Sequence, residues 1–126
     1  MAYKINAAAR DLFYSRNDPK DRRLGELIGR AAIDEVTEGT VAIIGVPEDR
    51  GITANKGRAG AAAGPDDIRR RLYKLTPGFN SDFMRLRIVD VGNVDTKELT
   101  LAEVHDAETE AVAEIVARGG LPVVLG

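Results

Sequence analysis

The sequence predicts an α/β fold, in which helices cover both faces of a parallel sheet. Three short apolar runs carry this prediction, at residues 40–47, 87–92 and 121–125. Apolar runs without alternation are typical of strands that are buried on both faces, as in parallel sheets. A helical pattern separates each run from the next. The order strand, helix, strand, helix, strand predicts parallel strands joined by right-handed crossovers.

A first helix is predicted ahead of these strands, over residues 19–35. Asp18 is suited to the N-cap and Pro19 to the first helical position. Gly25 and Gly29 lower the intrinsic helix propensity, so packing against the rest of the fold must stabilise this helix. Its apolar side chains recur at helical spacing: Leu24, Leu27, Ile28 and Ala31.

A second helix is predicted between the first two strands. Gly64 is placed at its N-cap and Pro65 at its first position. The carboxylates of Asp66 and Asp67 face the positive end of the helix dipole. The buried stripe of this helix is predicted to hold Ile68, Leu72 and Leu75.

The third helix, over residues 100–118, has the strongest pattern. Thr100 and Glu103 have the spacing of a capping box, and the pair Gly119-Gly120 ends the helix. Its apolar side is predicted to hold Leu101, Val104, Val112, Ile115 and Val116.

Length and composition limit the functions open to the chain. Its 126 residues are enough for one domain, and 44% hydrophobic and 30% charged residues are typical of a folded soluble protein. With no Cys and one His, the chain cannot form disulfides, thiolate sites or multi-His metal sites by itself. A net charge of −2 argues against nucleic acid as a main partner. Neither a long apolar run nor a signal-peptide pattern is present, which predicts no membrane partner and a cytoplasmic location.

The connection between the first strand and the second helix is the main candidate for function. Loop 47–64 follows the carboxyl end of a strand, where α/β proteins collect ligands, and contains four glycines. The glycines permit close backbone approach, and the following helix offers free N–H groups to an anion. The loop fits neither the P-loop nor the dinucleotide-binding pattern, because its glycines have the wrong offsets. A surface connection without a ligand is the alternative.

Three further polar features each have two interpretations. His105 and Glu108, three residues apart on one helix, could share a metal ion, although a packed, hydrogen-bonded pair is favoured. The arginines of residues 69–71 could bind an anion, although a solvated helix face is favoured. Asp90, inside the second strand, could act as an acid or base, although ordering of loop N–H groups is favoured. The residues alone give no complete catalytic set.

Several stretches of the chain occur in the order and spacing of a known family. They read Val41-Ala-Ile-Ile-Gly-Val-Pro-Glu-Asp-Arg-Gly51, Asn55-Lys-Gly-Arg-Ala-Gly60 and Gly64-Pro-Asp-Asp-Ile-Arg69. Together with Ile88-Val-Asp-Val-Gly92 and Leu121-Pro-Val-Val-Leu-Gly126, they resemble the opening of the ureohydrolase family, which includes arginase, agmatinase and formimidoylglutamase. Within that family, residues 15–25, 48–51 and 55–58 look most similar to formimidoylglutamase.

The resemblance implies a three-layer α/β fold and a hydrolase that cleaves a C–N bond of a small-molecule amidine. In the family, water bridged between two Mn²⁺ ions attacks a guanidino or formimino group, and the formimidoylglutamase branch serves histidine catabolism. The metal ligands lie in the motifs Gly-Gly-[Asp/His]-His, Asp-x-His-x-Asp and Asp-x-Asp-x-x-Asp. Gly126 matches the first glycine of the first motif. We therefore expect residues 1–126 to be the N-terminal part of one arginase-like domain, truncated before the metal ligands, inactive alone and without bound manganese.

Within such an enzyme, Asn55 and Arg58 are the candidates for substrate binding. The Arg58 guanidinium can bind a substrate carboxylate through two hydrogen bonds, whereas loop scaffolding is the alternative role. Residues 121–125 form an exposed apolar edge if no later strand covers them, which predicts self-association of the isolated chain. The competing hypothesis is a small, self-contained α/β domain that binds an anion or a partner through loop 47–64.

Overall fold

The computed structural model places a five-stranded sheet at the centre of the chain and describes residues 1–50, 60–78 and 85–126. The strands are β1 (Ile5–Asn6), β2 (Gly29–Arg30), β3 (Val41–Gly45), β4 (Ile88–Val94) and β5 (Leu121–Leu125). The α-helices are α1 (Leu24–Leu27), α2 (Gly64–Leu72) and α3 (Leu101–Ala117), and short 3-10 helices lie at Arg10–Leu12, Ile33–Glu35 and Ala61–Ala63.

The three predicted strands form the parallel centre of the sheet, which confirms the predicted α/β class. Strand β3 lies between β4 and β5, with Val41 opposite both Ile88 and Leu121. The short strands β1 and β2, which were not predicted, both pair with the other side of β4. Strand β2 runs parallel to β4 and β1 antiparallel. In the part of the chain that the structure describes, strand β5 therefore ends the sheet on one side.

Helices cover the sheet on both faces, so the fold has three layers. Side chains of β3 and β4 on one face pack beneath α3 in a core that includes Ala42, Ile44, Val89, Val91, Val104, Ala107, Ala111 and Ile115. The opposite face packs against α1 and the end of α2 through Leu24, Ile28, Ile43, Tyr73 and Leu125. Because successive strand residues point to opposite faces, one apolar run supplies both cores.

The predicted helix over residues 19–35 is wrong, since α1 is the only α-helical segment within it. Gly25 lies so close to Tyr14 that a Cβ there would meet the Tyr14 backbone nitrogen at 2.5 Å. Five residues later, Arg30 pairs with Asp90 in the sheet. Close backbone packing and strand pairing therefore override a helical spacing that two glycines already weaken.

Helix α2 forms where it was predicted, but it turns a different face toward the core. Its buried side chains are Pro65 and Arg69, followed by Tyr73 just after the helix. Of the predicted stripe, Leu72 is partly buried and packs against the core, whereas Ile68 and Leu75 are 40% and 56% exposed, so the prediction is wrong for these two. Gly64 is the first helical residue and not the N-cap, since a 3-10 turn runs directly into the helix. A buried ionic contact of Arg69, described below, sets this orientation.

The structure confirms the predicted third helix and its cap. The Thr100 hydroxyl accepts a hydrogen bond from the Glu103 backbone N–H at 3.1 Å, and the Glu103 carboxylate accepts one from the Thr100 N–H at 3.0 Å. Gly119, with φ +81°, follows the helix. Val116 was predicted on the apolar side but is 56% exposed, while Ala107 and Ala111 complete the buried face. Within residues 1–50, 60–78 and 85–126, no helix has the length and apolarity to cross a membrane.

Replacing Thr100 with alanine is expected to lower the free energy of unfolding by about 1 kcal/mol, because the Glu103 N–H loses its side-chain acceptor. Urea unfolding followed by circular dichroism measures the change. Thr109→Ala is the control, since the Thr109 hydroxyl only donates to the His105 carbonyl within the helix. Equal losses for the two variants would contradict a capping role for Thr100.

Candidate functional site

The strands β3, β4 and β5 end at one edge of the sheet, which we call the carboxyl edge. The start of α2 lies directly over the end of β3, and Gly45 makes this approach possible. A Cβ on Gly45 would lie 1.9 Å from Asn93 Oδ1 and 2.9 Å from the Pro65 Cβ. Only glycine therefore lets the first turn of α2 and the Asn93 side chain meet above β3.

Arg69 and Asp90 form a fully buried, bidentate ion pair beneath this edge. Arg69 Nε donates to Asp90 Oδ2 at 2.8 Å, and Nη2 donates to Asp90 Oδ1 at 2.9 Å. Both side chains have an exposed fraction of 0%. The pair ties the middle of α2 to the middle of β4, and its planar fork geometry fixes their relative orientation.

The guanidinium of Arg69 has a protein acceptor for each of its five N–H donors. Besides the two bonds to Asp90, Nη2 donates to the Gly92 carbonyl at 3.0 Å. Nη1 donates to Asn93 Oδ1 at 2.6 Å and to Asp66 Oδ1 at 3.1 Å. Arg69 consequently has no donor left for a ligand, and its role is to hold neighbouring groups in place.

Each carboxylate oxygen of Asp90 accepts two hydrogen bonds. In addition to the two bonds from Arg69, Oδ2 accepts from the Tyr73 hydroxyl at 2.6 Å and Oδ1 from the Gly92 backbone N–H at 2.9 Å. Burial, together with the negative charge of Asp90, raises the pKa of Tyr73 far above its ordinary value, so the phenol remains a donor. Burial lowers the pKa of Arg69, but the hydrogen bond and charge of Asp90 outweigh it and leave the pKa raised.

A β-bulge lies beside this ion pair. Ile43 is opposite Asp90 and the next residue, Ile44, is opposite Gly92, so Val91 is the extra residue in β4. Gly92 has φ +98°, and a Cβ there would lie 2.0 Å from the Asn6 carbonyl oxygen. The bulge therefore requires glycine at position 92. The bulge also turns the end of β4, so that the Asn93 side chain reaches Arg69.

Both ends of the loop after β3 are fixed near the carboxyl edge. At its start, the Thr96 hydroxyl donates to the Pro47 carbonyl at 2.8 Å. Arg50 pairs with Glu48 and donates to the carbonyls of Thr96 and Leu99. The hydrogen bonds of Arg50 are the largest influence that lowers the pKa of Glu48.

The two ends of the loop also contact each other. At the far end, the Gly60 backbone N–H donates to Asp49 Oδ2 at 3.0 Å. This bond joins residues eleven positions apart and closes the base of the loop. The intervening positions include both predicted substrate-binding residues, Asn55 and Arg58, which lie outside the described residues.

The structure confirms part of what was predicted for the other polar features and contradicts the rest. Arg70 and Arg71 lie on the exposed face that was expected, but Arg69 does not, because the carboxylate of Asp90 holds it in the core. Asp90 accepts from one backbone N–H, but that N–H belongs to Gly92 within β4 and not to a loop as predicted. The packed pair proposed for His105 is wrong, since His105 lies outside the buried face of α3 and is exposed. Among the described residues, no group of three or more His, Cys, Asp or Glu side chains could hold a metal ion.

The comparisons of this chain with known proteins agree on one family. The arginase family model matches residues 39–126 of this chain. The formimidoylglutamase of Klebsiella pneumoniae strain 342 is 33% identical over an alignment that covers 95% of this chain and 38% of that relative. The formimidoylglutamase of Clostridium tetani is 36% identical over 85 residues, which cover 68% of this chain and 24% of that relative.

A solved structure shows the same similarity in three dimensions. It is a crystal structure of a formiminoglutamase variant from Trypanosoma cruzi with Mn²⁺, and it superposes with a TM-score of 0.67 at 32% sequence identity. The superposition covers 83% of this chain and 35% of that one. Across the relatives described here, this chain spans less than two fifths of the length of each protein that it resembles.

Proposed function

This chain belongs to the arginase family, and from that membership we propose that it is the N-terminal portion of a longer hydrolase. The hydrolase cleaves a C–N bond of a linear amidine, with formimidoylglutamate-like or guanidino compounds as the substrate class. The names of the relatives support this proposal, since they are formimidoylglutamases. The coverage also supports it, because this chain spans less than two fifths of the length of each of these proteins.

The exposed edge at β5 is the observation that carries this proposal. Leu121 and Val123 are 63% and 39% exposed, and alternation along the strand places them on the α2 face of the sheet with the buried Leu125. Val124, on the α3 face, is 38% exposed. A terminal strand that is apolar and exposed on both faces indicates that the sheet and both helical layers continue beyond it.

The same edge argues against the competing hypothesis of a self-contained domain that uses loop 47–64. An independent domain of this class covers its outer strands or protects them with charged side chains or proline. Strand β5 reads Leu-Pro-Val-Val-Leu: it carries no charged residue, and its one proline, Pro122, follows the first residue of the strand and leaves the apolar residues 123–125 without such protection. We therefore favour the hydrolase over a small anion-binding or interaction module.

In this proposal the manganese ions are bound by residues outside the chain. Manganese prefers carboxylate and imidazole ligands. The described residues do not fit such a centre, because they include no cluster of three candidate ligands. His105 is exposed and lies outside the buried face of α3. In this proposal the part of the chain in the enzyme is to form the rim of the cleft.

We propose that Asn55 and Arg58 are the residues of this rim that contact the substrate. Support comes from the ends of their loop, since Asp49 and Gly60 close its base and Arg50 ties it to the carbonyls that follow β4. A loop fixed at its base can present side chains to a ligand at low entropic cost. A guanidinium at this position suits a substrate carboxylate.

The test is to express the polypeptide encoded by the complete gene and to measure hydrolysis of formimidoylglutamate and of guanidino compounds with added Mn²⁺. Arg58→Met is expected to raise KM by about tenfold or more through loss of a bidentate contact. Arg70→Met is the matched control, since Arg70 is exposed on α2 and pairs with Asp67. Absence of hydrolysis of every amidine in the wild-type polypeptide would contradict the proposed function.

The chain studied alone is expected to self-associate through β5, because the exposed strand edge and its apolar side chains can pair with a second copy. Sedimentation equilibrium over a range of concentrations measures this association. Val124→Lys is expected to reduce it, whereas Thr109→Lys, on the exposed side of α3, is the control that leaves it unchanged. A wild-type chain that stays monomeric at high concentration would contradict the prediction.

A further inference from the structure

The Arg69 guanidinium joins two parts of the carboxyl edge that are distant in sequence, the first turn of α2 and the end of β4. Its acceptors are Asp66 in the first turn of α2, the Gly92 carbonyl in the bulge of β4, and the Asn93 side chain beyond the bulge. Asp90 anchors the guanidinium from below through two further bonds. Arg69 thus links the Asn93 side chain both to the first turn of α2 and to the buried carboxylate of Asp90.

Arg69 also determines which way the Asn93 amide faces. A guanidinium nitrogen can only donate, so the Asn93 atom that lies 2.6 Å from Nη1 must be the carbonyl oxygen Oδ1. The amide nitrogen Nδ2 then faces Asp66, with its donor 3.3 Å from Asp66 Oδ1. Both Asn93 and Asp66 are partly exposed, and they are the outer members of an otherwise buried network.

We propose that Arg69 is a positioning residue for the hydrolase: it holds Asp66 and Asn93, and with them the first turn of α2, where the loop from β3 returns to the fold. This inference rests on the proposed function, because it assigns the rim to an enzyme cleft. The reacting groups lie elsewhere in the enzyme, so displacement of the rim weakens substrate binding and leaves the chemical step largely unchanged.

Lysine cannot take the place of arginine in this role. An ammonium has three donors on one atom, whereas the contacts of Arg69 require five donors spread over a planar fork. Arg69→Lys therefore keeps the positive charge beside Asp90 but releases Asn93 and the Gly92 carbonyl. Tyr73→Phe provides the comparison, because the Tyr73 hydroxyl donates to Asp90 Oδ2, at the end of the network farthest from Asn93.

The experiment compares these variants in the complete enzyme. Arg69→Lys is expected to raise KM by about tenfold or more while kcat changes by less than about threefold. Tyr73→Phe is expected to lower the melting temperature with KM unchanged. If KM instead rises in both variants in proportion to the loss of melting temperature, Arg69 has a structural role only and the proposal is overturned. Arg70→Lys, on the exposed face of the same helix, controls for the substitution itself.

A second variant and a second measurement keep the inference independent of that assay. Asn93→Ala removes the outer end of the network without disturbing the buried pair, so the same rise in KM is expected even if Arg69→Lys does not fold.

In the chain itself, the side-chain amide signals of Asn93 in a nitrogen–proton NMR spectrum are expected to shift in Arg69→Lys and to keep their positions in Tyr73→Phe. Unchanged signals in Arg69→Lys would overturn the positioning role. Absence of hydrolase activity with shifted signals would overturn the proposed function alone.

Discussion

Replacement of Asp90 by alanine is expected to lower the free energy of unfolding by about 3–5 kcal/mol, because it leaves the Arg69 guanidinium buried without its counter-charge. The loss is large against the total stability of a small domain, which is about 5–15 kcal/mol. The Tyr73 hydroxyl and the Gly92 N–H lose their acceptor at the same time. Urea unfolding of the chain, followed by circular dichroism, measures the change.

Two further variants separate this effect from a general loss of charge. Asp67→Ala removes the exposed ion pair with Arg70 on the same helix and is expected to leave the unfolding midpoint nearly unchanged. The double variant Asp90→Ala with Arg69→Met is expected to recover part of the loss, because no unpaired charge then remains in the core. If the double variant is less stable than either single variant, the buried charge is not the cause.

Replacement of Gly92 by alanine is expected to lower the free energy of unfolding by about 3 kcal/mol, because it combines backbone strain with overlap. Gly92 has φ +98°, and the new Cβ would lie 2.0 Å from the Asn6 carbonyl oxygen and 2.8 Å from its carbon. These atoms are backbone, so β1 must separate from β4 to make room. The same unfolding measurement applies, and hydrogen exchange of the β1 amides reports the separation.

Gly39→Ala is the matched control for this second prediction. Gly39 also has a positive φ, +79°, but no atom of the described residues that could obstruct a Cβ lies within 4 Å of the position it would take. Its substitution therefore carries the backbone strain alone, about 1–2 kcal/mol. A Gly92→Ala variant no less stable than Gly39→Ala would show that the close approach of Asn6 does not constrain the bulge.

The sequence predicted those elements whose signal is local. The apolar runs at β3, β4 and β5 are bounded by loop residues, and the capping box of Thr100 and Glu103 marks the start of α3 within four residues. Helix α1 and the two-residue strands carry no such signal. Their form depends on contacts with distant segments, such as Gly25 against Tyr14 and Arg30 against Asp90. Periodicity over one segment cannot detect such contacts.

The ion pair at the carboxyl edge was missed for the same reason. Arg69 stands in a run of three arginines, which is typical of a solvated face, and its partner Asp90 lies 21 residues away. A signal was nevertheless present, because Asp90 interrupts a buried apolar run and Gly92 follows two residues later. A carboxylate in such a strand needs a buried partner, and a glycine in a strand often marks a bulge.

The outward amide of β5 tests most directly whether this chain forms part of a larger sheet. Leu121 donates to the Thr40 carbonyl and the Leu125 carbonyl accepts from Val46, so both residues face β3, and Pro122 and Val124 face outward. Pro122 has no N–H, which leaves Val124 as the outward donor of the strand. In the dilute chain the Val124 amide is expected to exchange rapidly with solvent. In the polypeptide of the complete gene, its exchange is expected to be slower by a factor of about one hundred or more. Equal exchange rates in the two would contradict the central claim that a later strand covers β5.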